Sequence, residues 1–176
     1  ALINQAGDYE HYLERLAVFK PHRLSEAEEK IFNDKALTSG GAFKRLFEEE
    51  FSQYKFIFGK GKKAKELNET QILNMLYDNK QNVRKEASEA MTTGLKDLSR
   101  RTTFIYNTLI NDKQIGNKYS KFATPEESRH LSNESDPKAV EALVEVITES
   151  YPLVQRYYKF KKTLLKLPEL FDYDRY

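Results

Sequence analysis

The 176-residue chain is 32% charged and 39% hydrophobic, contains no Cys and no Trp, and has only 7 Gly and 5 Pro. Ordinary usage would give about 12 Gly and about 9 Pro, so a many-stranded β-sandwich with its frequent turns is disfavoured and long helices are expected. With 29 Lys and Arg against 27 Asp and Glu, the charge of +2 is too small for a dedicated polyanion binder, and no nucleic-acid partner is expected. The absence of Cys removes disulfides, thiolate zinc sites and thiol nucleophiles, and suits a reducing, cytoplasmic compartment. No run reaches the 18 apolar residues of a membrane span, and the first residues lack a basic head followed by an apolar stretch, so no membrane partner is expected.

The first predicted helix opens at Asp8 as N-cap, carries Tyr12, Leu13 and Leu16, and stops at Pro21. Ser25 and Glu28 have capping-box spacing, predicting a second helix that ends near Leu37, before Thr38-Ser39-Gly40-Gly41. A third helix is predicted from Ala42, with Phe43, Leu46, Phe47 and Phe51 on one face and Glu48 to Glu50 on the wet side. The aromatic run 54–58, bounded by Gly59, reads as a strand that returns through 62–66, a short β-hairpin near 54–66. Gly59-Lys60-Gly61-Lys62-Lys63 lacks the glycine spacing and the Ser or Thr of a phosphate loop and reads as a solvated turn.

Asn68 and Gln71 repeat the capping signature and open a helix through Tyr77, which Asp78-Asn79 breaks. Residues 80–115 then carry an uninterrupted helical stripe up to Gly116, about 50 Å at 1.5 Å per residue. Thr124-Pro125-Glu126-Glu127 opens a short helix to about Asn133, and Asp136-Pro137 opens the last one, where Pro152 should kink or split the run. The two long segments are the expected core pair. The fold class is therefore all-α (mainly α): one domain, a multi-helix array with two long helices and the short hairpin.

Chemistry is sparse. His11, His22 and His130 are isolated, without the H-E-x-x-H spacing that puts two imidazoles on one helix face, so no metal site and no catalytic residue is assigned. The acidic clusters read as solvated helix faces with i,i+4 pairs such as Glu26 and Lys30. Lys159, Lys161, Lys162 and Lys166 alternate with Tyr157, Tyr158 and Phe160, the pattern of a packed helix with a charged back. On its residues alone the chain reads as a helical scaffold or binding wall.

Taken in order, Tyr9-Glu10-His11-Tyr12-Leu13, Pro21 to Lys30, Asn82 to Ala87, Gln155 to Lys161 and Tyr173-Asp174-Arg175-Tyr176 closely resemble oligoendopeptidase F, a branch of the thimet-oligopeptidase-like zinc metallopeptidases. Residues 1–67 resemble that family's amino-terminal helical region and 68–176 the start of its peptidase domain. The resemblance implies a helical enzyme that encloses a deep channel and hydrolyses short, unstructured peptides with zinc held by H-E-x-x-H and a further Glu. None of those residues has a counterpart here, and the zinc helix is expected downstream of Tyr176. The resemblance thus implies a channel-wall portion, inactive alone, with no cofactor of its own, partnered by the remainder of the peptidase domain. Tyr157, Tyr158 and Tyr173 are its candidate channel-wall residues, and packing between helices is the weightier role for each. A self-contained, non-catalytic helical interaction module is the alternative expectation.

Overall fold

A computed structural model of the chain describes residues 7–175, so Tyr176 of the last resemblance stretch lies outside the described residues. The fold is mainly α: eight α-helices and one two-stranded sheet among the described residues. In order these are α1 (Glu10–Val18), α2 (Glu26–Ala36), α3 (Gly40–Gln53), β1 (Phe56–Phe58), β2 (Lys65–Leu67), α4 (Glu69–Met75), α5 (Gln81–Tyr119), α6 (Glu127–Asn133), α7 (Pro137–Glu149) and α8 (Tyr151–Leu164). No helix among the described residues is long and apolar enough to cross a membrane.

Local chemistry sets several of these boundaries. The Ser25 hydroxyl accepts the Glu28 amide at 3.4 Å while the Glu28 carboxylate takes the Ser25 amide at 2.9 Å, and Asn68 and Gln71 exchange the same two bonds at 2.9 Å. Pro152 divides the last apolar run into α7 and α8, sitting in the first turn of α8 where its missing N–H costs nothing.

Other boundaries differ from expectation. Asp8 does not cap α1: a 3-10 turn over Gly7–Tyr9 comes first, Gly7 takes φ +55°, and Tyr9 is the N-cap without a side-chain bond. Gly40 and Gly41 belong to α3 rather than ending α2. A Cβ on Gly40 would lie 2.6 Å from Asp112 Oδ2, and one on Gly41 2.6 Å from the Ala36 carbonyl, so close approach accounts for both. Gly116 likewise lies inside α5, since one glycine weakens a helix by only about 1 kcal/mol. The helix ends three residues later in a Schellman motif: Lys121 takes φ 57°, its amide reaches the Lys118 carbonyl at 3.3 Å, and the Phe122 amide reaches Asn117 at 3.0 Å.

The described residues form two compact units, one drawn from residues 7–42 and 108–147, the other from 43–107 and 148–175. The boundary at 67/68 concerns which part of the longer family each stretch resembles, a separate matter. In the first unit, the Arg15 guanidinium donates to the Leu131 carbonyl and pairs with Glu134 at 3.0 Å, tying α1 to the end of α6. His22 lies flat on Phe122, 4.1 Å between ring centres, with its Nδ1 2.9 Å from the Ser120 carbonyl.

The second unit holds the hydrophobic core. Phe56 pairs across the hairpin with Leu67, and both pack with Ile72, Leu76 and Ala87. The hairpin is stable despite its length because α4 and α5 cover it; two short strands alone are marginal. On α5, Ala87, Gly94, Leu98 and Ile105 are buried along one face, and Gly94 lets the Phe56 ring approach to where a Cβ would stand at 2.6 Å. The expected pairing of the two long segments as the core is not what forms. Neither α7 nor α8 has a buried residue, and the core lies between the hairpin, α4 and the first half of α5.

Candidate functional site

After α8, Lys166 takes φ 54° and the Leu167 amide returns to the Lys162 carbonyl at 3.2 Å, so the chain reverses and runs back as a strap, residues 167–175. The strap is fastened at Asp174, which is fully buried. Its carboxylate receives Arg84 Nη2 at 2.5 Å, Gln81 Nε2 at 2.9 Å and the Phe171 amide at 3.0 Å. Arg84 is equally committed, donating to the carbonyls of Tyr173 at 3.0 Å, Asp78 at 2.8 Å and Asn79 at 3.2 Å. Burial pushes the Asp174 pKa up, but the bonds from Arg84, Phe171 and Gln81 outweigh it and hold the carboxyl below the usual Asp value.

Tyr173 packs against the core and stacks on Phe171, 5.2 Å between ring centres. Its hydroxyl is shifted up by burial first and then by the charges of Asp174 and Asp172, so it keeps its proton at neutral pH. Phe171, with Glu169 and Leu170, forms one side of an open groove of about 580 Å³; Val154, Gln155, Tyr158, Lys159 and Lys162 of α8 form the other. Tyr157 meets Tyr158 edge to face at 5.3 Å but lines no part of the groove.

The structure thus brings Tyr157 and Tyr158 together on α8 and places Tyr173 behind Phe171, where it supports the far wall. Sequence reading missed the Arg84–Asp174 fastening. Both residues lie in stretches that carry the resemblance, yet nothing local pairs an arginine with an aspartate 90 positions away. Chemically the groove offers an apolar floor, two ammonium groups and one carboxylate: the means to hold a chain, with no nucleophile or paired acid and base. The residues present do not fit a zinc ion. Among the described residues no group of three His, Asp or Glu is placed to hold a metal, His11 faces Glu134 at 3.0 Å, and His22 Nδ1 is engaged by Ser120.

Residues 1–56 match the family model described as Oligopeptidase F. Over 96% of its length the chain is 24% identical to the group B oligopeptidase PepB of Streptococcus agalactiae and 28% identical to the oligopeptidase PepF of Bacillus subtilis. The chain is oligoendopeptidase F-like. It superimposes on the crystal structure of oligoendopeptidase-F from Enterococcus faecium with a TM-score of 0.83, at 20% identity and over 98% of this chain, a likeness of fold. It spans only 28% of the Streptococcus protein, 25% of the Bacillus protein and 35% of the Enterococcus chain.

Proposed function

We propose that this chain is a helical, channel-wall portion of an oligoendopeptidase F-like zinc metalloendopeptidase that hydrolyses short, unstructured peptides, and that it is inactive alone. One observation carries the reading: nearly the whole chain aligns with about a quarter of oligopeptidases, and its own residues supply no H-E-x-x-H. Tyr158 and the strap residue Phe171 form the surface along which a peptide would lie, Tyr157 stiffens Tyr158, and Tyr173 backs Phe171. Zinc belongs to residues that these 176 do not include, and the remainder of the peptidase domain is the partner. The cysteine-free sequence supports a cytoplasmic setting.

The test is zinc content after loading with excess metal and exhaustive dialysis, measured by elemental mass spectrometry. The expected result is far less than one zinc per chain. One tightly held zinc per chain would remove the reading, because a metal centre would then be assembled from these residues.

A further inference from the structure

Along α8, Leu153, Tyr157, Phe160 and Leu164 stand at spacings of four, three and four residues, and each is between 58% and 68% exposed. That is the spacing of a coiled-coil seam, which keeps a second helix in contact over its whole length. The groove uses the opposite side of α8, so the stripe is not covered by the strap. Arg156 borders the stripe on one side and Lys161 on the other, Lys159 and Lys162 lie farther round, and α8 contains no Asp or Glu. Lys161 also donates to the Arg175 carbonyl at 2.9 Å, a bond that leaves its charge in place. A second α8 laid on this stripe would set cations against cations, which opposes self-pairing.

We propose that the α8 stripe seats an amphipathic helix whose own apolar stripe is bordered by Asp and Glu, supplied by the roughly three quarters of the longer oligopeptidase polypeptide that this chain does not span. The inference rests on the wall reading and adds to it the chemistry of the neighbour. It assigns Tyr157 to the seam between wall and neighbour and leaves Tyr158 to the groove.

The experiment titrates the full chain with two synthetic three-heptad helices carrying Leu at the seam positions, one bordered by Glu and the other by Lys. The Glu-bordered helix should bind at least about tenfold more tightly, and salt should weaken it. The double variant Phe160→Ala, Leu164→Ala should lose that binding while keeping the wild-type circular dichroism, and Arg156→Glu should narrow the preference for the acidic helix. Equal affinity for both helices, or no binding of either, would overturn the proposal. So would dimerisation of the chain, or binding to phosphatidylglycerol vesicles, that Phe160→Asp abolishes. These outcomes are separable from the wall reading, since a chain that binds no zinc but shows no helix preference loses the seat alone.

Discussion

Phe56 and Phe160 are the same residue type in opposite surroundings: the first is 1% exposed beneath α4 and α5, the second 63% exposed on α8. Around Phe56 the layers close, with Leu67 opposite it in the hairpin, Gly94 admitting its ring and Ile72 fully buried. Around Phe160 an equally regular apolar stripe meets nothing among the described residues that buries it. Helical periodicity marks a face as apolar, but what covers that face is decided by other chain segments, and α8 keeps its apolar stripe exposed.

The largest effect that would sharpen this contrast comes from truncating the two phenylalanines. Phe56→Ala should destabilise the chain by about 3–5 kcal/mol in urea unfolding, whereas Phe160→Ala should change it by less than about 0.5 kcal/mol. Similar losses at both sites would mean that α8 is already packed.

The strap's fastening comes next. Breaking a buried ion pair by removing one partner costs about 3–5 kcal/mol, so Asp174→Ala should be nearly as damaging as Phe56→Ala. The sign of its pH dependence follows from the lowered Asp174 pKa. The stabilisation is fully present above the ordinary Asp value near 3.9 and is lost as pH falls through the lower folded value. Urea midpoints of the wild type and Asp174→Ala should therefore differ at pH 5 to 7 and begin to draw together only as pH falls below about 4. A difference that persists undiminished into stronger acid would contradict the role given to the carboxylate.

The smallest effect concerns helix ends. Lys121, Glu134 and Lys166 all hold the left-handed conformation at helix ends, where glycine is the usual choice. Lys166→Gly should stabilise the chain by about 0.5–1 kcal/mol by removing that strain, seen as a small rise in Tm. A loss of stability would show that the lysine side chain contributes something its backbone angle conceals.

These residues also explain how far the sequence could be read. The Ser25 and Asn68 caps were legible because each is a bond between residues three apart, and Pro152 because its effect is local. The three left-handed stops were not, since they carry no glycine, and Gly40, Gly41 and Gly116 misled in the other direction by lying inside helices. Of the candidate site, the tyrosine pair was visible in the pattern of α8. The groove was not, because its second wall depends on an aspartate held by an arginine 90 residues earlier. The misplaced core pair has the same origin: the two longest apolar stripes were matched to each other, although the shorter hairpin and α4 cover α5.

On the proposed reading, the chain only walls an enclosure in which other residues cut. Incubating the purified chain with a fluorogenic nonapeptide and added zinc, with and without a chelator, tests it most directly. No cleavage above the buffer rate is expected in either case; turnover that the chelator abolishes would show that the chain cuts peptides by itself.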